Sequence, residues 1–143
     1  MDAKELQDRT KRFAVRVVKF CRMLPNTWEA RQIGGQLIDS STSVYANYRA
    51  TCRARSRADF IAKLGIVAEE ADESVGWFEL LEALELSRGF ELTWLVGEGR
   101  ELLAIFSKSQ KTAKENRQRQ TKVISAINRQ LPDRQSKITS SLP

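Results

Sequence analysis

The sequence predicts an all-α fold: an antiparallel up-down four-helix bundle with a basic C-terminal tail. Apolar residues recur at three- and four-residue steps through most of the chain, which gathers them on helix faces. Three breaks, at Pro25, at Cys52-Arg53-Ala54-Arg55-Ser56-Arg57 and at Ser87-Arg88-Gly89, divide the pattern into four stretches. The third stretch, residues 57–86, contains no proline. At ~1.5 Å per residue it approaches ~45 Å, a length suited to a bundle.

The first helix is expected over residues 3–24. Leu6, Thr10, Phe13, Val17, Phe20 or Cys21, and Leu24 form its stripe, with Lys4, Lys11, Lys19 and Arg22 toward solvent. Asp2 is placed to accept from first-turn amides. Pro25 ends the helix because it donates no amide hydrogen and restricts Leu24. Asn26 or Thr27 then caps a second helix, residues 28–51, with Ile33, Leu37, Val44, Tyr48 and Thr51 at helical spacing. Gly34-Gly35 and the run Ser40-Ser41-Thr42-Ser43 are poor helix formers, so tertiary packing must hold this segment of a continuous helix, and Gly34 is the place where a break would fall.

Ser56 is the expected cap of the third helix, with Asp59 completing a weaker capping box. Phe60, Leu64, Val67, Ala71, Val75, Phe78 and Leu81 share one face, and Ile66, Trp77, Leu80 and Leu84 widen it toward a second neighbour. Gly89 is the expected terminator. A fourth helix runs from residue 91 or 92 to 111 or beyond, on Leu92, Leu95, Val96, Leu102, Leu103 and Phe106, with Gly99 permitting close packing. The expected division is a bundle over residues 1–115 and a basic, partly helical or disordered tail over 116–143. Disorder is expected after Pro132, where little can be buried.

Charge is unevenly spread under a net +6. Residues 1–24 carry seven Lys/Arg against three acids, residues 61–87 one against seven, and residues 107–143 nine against two. A dipolar layout of this kind serves assembly or polyanion binding. Lys4, Lys11, Arg12, Lys19, Arg22, Arg55 and Arg57 are the candidate nucleic-acid contacts. Glu69, Glu70 and Glu73 crowd the third helix, and Arg49 and Arg53 of the second are the expected counter-ions, within one chain or across an interface. Tyr45, Tyr48 and Trp77 are candidate structural or interface groups, and Trp28, Trp77 and Trp94 candidate packing or interface anchors. No run approaches the ~20 apolar residues of a membrane span. The first residues lack a secretory apolar core, so a cytoplasmic location is expected, with Cys21 and Cys52 reduced. There is no histidine. A di-metal bundle site, which uses Glu-x-x-His pairs, is therefore not expected, nor is a cofactor or an enzymatic activity.

Two segments, SSTSVYANYRATCRARSRADF at 40–60 and EEADESVGWFELLEALEL at 69–86, resemble the bacterial four-helix bundle family encoded in 23S rRNA intervening sequences. The resemblance extends over about residues 6–112. Ser43 and Asn47 match the family's SIPSNIAEG segment, whereas Arg49 and Ala50 replace its usual Ala and Glu. Arg55-Ser56-Arg57-Ala58-Asp59-Phe60 is similar to the family's Arg-x-Ser-x-x-Glu-Phe connection, with Asp for Glu. The resemblance implies a non-enzymatic bundle that forms homopentamers, and it brings Asn47 into the candidate structural set. It also implies RNA, DNA or a nucleoprotein partner, because the related accessory variability protein of diversity-generating retroelements binds nucleic acid and a reverse transcriptase. The alternative is a structural adaptor making only protein–protein contacts.

Overall fold

The computed structural model describes the backbone of residues 1–140 and the side chains of residues 1–131. It is an up-down four-helix bundle, α1 (Ala3–Arg22), α2 (Trp28–Thr51), α3 (Arg57–Ala83) and α4 (Phe90–Ser140), with no strand among the described residues. The chain divides into two compact units, Met1–Gln110 and Lys111–Pro143. Side chains from residue 132, and residues 141–143 altogether, lie outside the described ones. The backbone of residues 133–140 is helical where disorder is expected after Pro132, and for residues 141–143 that expectation lies outside the described residues.

Each helix of the first unit begins as its sequence dictates. Asp2 and Glu5 form a reciprocal capping box: Asp2 Oδ1 accepts from the Glu5 amide at 2.8 Å, and Glu5 Oε2 from the Asp2 amide at 2.9 Å. Thr27 caps α2 by accepting from the Ala30 amide, and Ser56 caps α3 by accepting from the Asp59 amide. Asp59 accepts from the Arg55 amide, one residue beyond the Ser56 amide that a full reciprocal box would use. The helix starts inferred from sequence therefore hold to within a residue or two.

One core joins all four helices: Phe13 and Val17 of α1, Leu37 and Val44 of α2, Leu64, Phe78 and Leu81 of α3, and Leu92, Leu95, Leu102 and Phe106 of α4. α2 does not break at Gly34. An added Cβ there would lie 3.3 Å from Leu24 Cδ1, so the glycine lets the α1–α2 turn approach closely. The serines act likewise. Ser40 and Ser41 are buried, and Ser74 Oγ donates to Ser40 Oγ at 2.8 Å across the α2–α3 contact. Among the described residues no buried side-chain polar atom lacks a partner. Gly99 sits where an added Cβ would lie 3.0 Å from Val75 Cγ2, which accounts for the tight α3–α4 packing.

α3 ends earlier than expected. Leu84 is its cap, and Glu85 takes the left-handed conformation at φ 57. The Leu86 amide donates to Leu81 O and the Glu85 amide to Glu82 O, the two bonds of a Schellman ending. The position favours glycine, but the sequence supplies glycine only at residue 89, where φ is 119, just before α4. Glu85→Gly should therefore raise stability by about 1 kcal/mol, by removing the Cβ clash of a left-handed residue. Chemical denaturation checks this, and a fall in the midpoint would contradict it.

Candidate nucleic-acid interface

Seven cations lie along α1, and the structure sorts them into two groups. Lys4 is committed to Asp8 at 2.9 Å, and that bond holds the Asp8 carboxyl below its ordinary range. Arg9 is largely buried against Glu98, its Nε donating to Oε1 at 2.8 Å, and it reaches Glu101 at 3.0 Å. Arg16 forks onto Glu91, Nε to Oε1 at 2.7 Å and Nη2 to Oε2 at 3.0 Å. Its Cζ lies 3.6 Å from the centroid of the Trp94 ring. The Arg16 hydrogen bond lowers the Glu91 pKa, so this fork persists as the pH falls below the ordinary carboxylate value and is lost only at lower pH.

The second group is Lys11, Arg12, Lys19 and Arg22. All four are exposed, and none joins an ion pair among the described residues. Residues 11, 15, 18 and 22 follow one line along the outside of α1, with Lys19 and Arg12 on its shoulder. Val15, 45% exposed, sits between the cations. On one side this line borders an open groove of about 660 Å³ shared with α4, floored by Val15 and Trp94. On the other it borders a smaller groove shared with Thr42 and Tyr45 of α2.

Lys11, Arg12, Lys19 and Arg22 are thus brought together. Arg55 and Arg57 are not part of that line: they are exposed at the α2–α3 turn, around a separate cleft with Ala3, Tyr48 and Cys52. The sequence did not single out Arg9 and Arg16, which organise the main groove. Their signal was present as spacing, because Arg9 and Arg16 are seven residues apart and so are Glu91 and Glu98. In two antiparallel helices such a pair of pairs meets rung by rung.

Several candidate interface residues need correction. Tyr48 is buried, with its ring centroid 5.3 Å from that of Phe106, and is a core residue of the single chain. Burial raises its pKa, with the Cys52 side chain adding to the effect. Of the three candidate packing or interface anchors, Trp77 and Trp94 are half-buried against the core, and Trp28, 70% exposed, is outside the core formed by the described residues. Asn47 donates to Ser43 O at 2.9 Å within its own helix. Cys21 and Cys52 are unbonded, and burial pushes the Cys21 thiol up to about 11.

The ion pairs expected between α2 arginines and α3 acids do not form within the chain among the described residues. Arg49 instead donates to the Tyr45 hydroxyl at 3.3 Å, Arg53 is exposed, and Glu73 accepts from Trp77 Nε1 at 3.3 Å. The reason is register. The Ser40–Ser74 bond sets the middle of α3 beside the middle of α2, where Asp39 rather than an arginine faces the acids. Glu70 is consequently raised in pKa, first by burial and then by Glu73, Glu69 and Asp39. Counting nine residues along each helix from the Ser40–Ser74 bond places Arg49 near residue 65, short of the acids.

α4 continues as a helix beyond the first unit. Its residues Val123, Ile124, Ile127 and Leu131 are all exposed. The described residues contain no group of three or more His, Cys, Asp or Glu placed to hold a metal. No helix among them is long and apolar enough to cross a membrane.

No curated protein is significantly similar to the chain. A solved structure is: a protein of unknown function from the S23 ribosomal protein family of Bacteroides thetaiotaomicron VPI-5482. The two are 32% identical with a TM-score of 0.71, over 78% of this chain and 99% of that one. Residues 4–108 match the family model described as 23S rRNA-intervening sequence protein. That match covers most of the chain and all four helices of the first unit, and the chain belongs to the 23S rRNA-intervening sequence protein family.

Proposed function

We propose that the protein is a non-enzymatic, cytoplasmic helical bundle that self-associates and binds nucleic acid, or a nucleoprotein, through the outer face of α1. The observation that carries this reading is the line of Lys11, Arg12, Lys19 and Arg22, exposed and outside every described ion pair. Cations left without carboxylates on one helix are the electrostatic footprint of a polyanion partner. Titration of the purified protein with labelled RNA and DNA over a salt series tests it. The expected result is binding whose log affinity falls linearly with log salt, as phosphate contacts release counterions. No binding near physiological ionic strength would overturn the reading.

Self-association rests on the outward face of α3. Ile66, Leu80 and Leu84 are exposed there, Trp77 is half-exposed, and Glu69, Glu70 and Glu73 join no ion pair among the described residues. An acidic ridge with apolar ends calls for a basic partner surface, and the basic residues of a second copy supply one. The pentamer is the expected number by family resemblance, with Arg49, Arg53 and Tyr45 available as contacts. The same ridge favours the second reading, an adaptor that makes only protein–protein contacts, and a reverse transcriptase is the partner class the resemblance implies. Sedimentation equilibrium over a wide concentration range should show an oligomer. A single species near 16.3 kDa throughout would rule self-association out.

A further inference from the structure

We propose that the groove between α1 and α4 selects single-stranded nucleic acid, by stacking a base on the outer face of the Arg16 guanidinium. The inference rests on the nucleic-acid reading above and adds to it which strand form is bound.

The geometry points to a three-layer stack of which two layers are present. Trp94 is half-buried against the core, which fixes its ring. Arg16 lies over that ring with Cζ 3.6 Å from the centroid. Its rotation is arrested by the two-pronged bond to Glu91. A guanidinium held on both counts cannot wander, yet its side chain keeps 38% of its surface exposed. The exposed portion borders the groove. A planar, weakly hydrated cation backed by an indole is a stacking surface for an unpaired base.

The charges around it suit a strand laid along α1. Arg9 is taken up by Glu98 and Glu101, which leaves one negative charge at that end of the groove. Glu91 is neutralised by Arg16 itself. That leaves Lys11, Arg12 and Lys19 on the wall for phosphates. Lys11 and Lys19 are eight residues apart, about 12 Å along the helix. A duplex can meet these cations, but its bases are already stacked and paired, so it gains nothing from Arg16. A single strand gains both contributions.

The test uses the full chain and three probes at fixed ionic strength: a labelled twelve-nucleotide oligoadenylate RNA, a labelled RNA duplex of the same length, and inorganic polyphosphate as competitor. The single strand should bind about tenfold more tightly than the duplex, the value of one stacked base. It should also quench tryptophan emission, and the duplex should not. Arg16→Lys retains the charge and loses the plane. It should lower single-strand affinity about tenfold and leave duplex affinity within about twofold. Equal binding of strand and duplex, or Arg16→Lys that leaves single-strand affinity unchanged, would overturn the inference while the basic surface stands. Binding of none of the three probes would overturn the nucleic-acid reading together with it. If Arg16→Lys does not fold, the emission change of the unaltered protein decides: quenching by strand and duplex alike counts against a stacked base.

Discussion

Phe78→Ala lowers the free energy of unfolding by about 3–5 kcal/mol. The ring has no exposed surface and meets Phe20 edge-on, with centroids 5.8 Å apart. It lies on the buried face of α3 with Leu64, Val67, Ala71 and Leu81. Truncation removes the transfer free energy of the ring and leaves a cavity that these neighbours fill only in part. Urea denaturation at fixed protein concentration measures the loss, since any self-association would make the midpoint concentration-dependent. A loss under about 1 kcal/mol would mean that the site collapses freely or that the ring is not enclosed. Phe78→Leu, which keeps most of the volume, should cost far less.

Arg9→Met is the second large effect, about 3 kcal/mol. The substitution keeps an apolar stem beside α4 and deletes the charge. Glu98, whose side chain is only 12% exposed, then remains half-enclosed without its guanidinium. The cost comes from that stranded carboxylate more than from the lost bond. Adding Glu98→Leu should therefore recover most of the loss, because an apolar pair of similar size fills the same space without a charge to desolvate. The double-mutant cycle gives the coupling directly. A coupling above about 1 kcal/mol is expected, and strict additivity would show that the two side chains do not act as a unit. The same double variant tests whether the end of the groove needs its ion pair for shape.

Helix identity, the buried faces and the capping residues were legible in the sequence because each depends on local spacing. Leu6, Thr10, Phe13 and Val17 of α1 and Leu64, Val67, Ala71 and Phe78 of α3 fall inside as their period requires. The end of α3 was not legible. Gly89 advertised a left-handed residue, but the chain spends that conformation at Glu85, where Leu86 can return to Leu81 and still pack against the core. The candidate site was only half legible. Exposed cations declare themselves by position on a helical wheel, and Lys11, Arg12, Lys19 and Arg22 did so. Which cations are spent on carboxylates depends on how helices pair in register, a relation between residues as far apart as Arg9 and Glu98. That is why Arg9 and Arg16 were passed over and why Arg49 was assigned to acids it does not reach. Tyr48 stands both on the apolar stripe of α2 and among the structural or interface candidates, and the packing against Phe106 decides for the core.

The hydroxyl shared between Ser40 and Ser74 bears on the order in which the chain acquires its shape. Residues 34–43 hold two glycines and a run of hydroxyl side chains, so this part of α2 has little reason to coil alone. α3 has two glycines as well, but Gly65 and Gly76 are eleven residues apart and no run of hydroxyl side chains lies between them, and its buried Ser74 waits at the matching height. The middle of α2 is thus a segment whose helicity follows docking rather than preceding it. Ser74→Ala is accordingly expected to hasten unfolding and to leave the refolding rate nearly unchanged, which stopped-flow rates on the two limbs check. A family member could therefore shed resistance to degradation at this seam without any visible slowing of its folding.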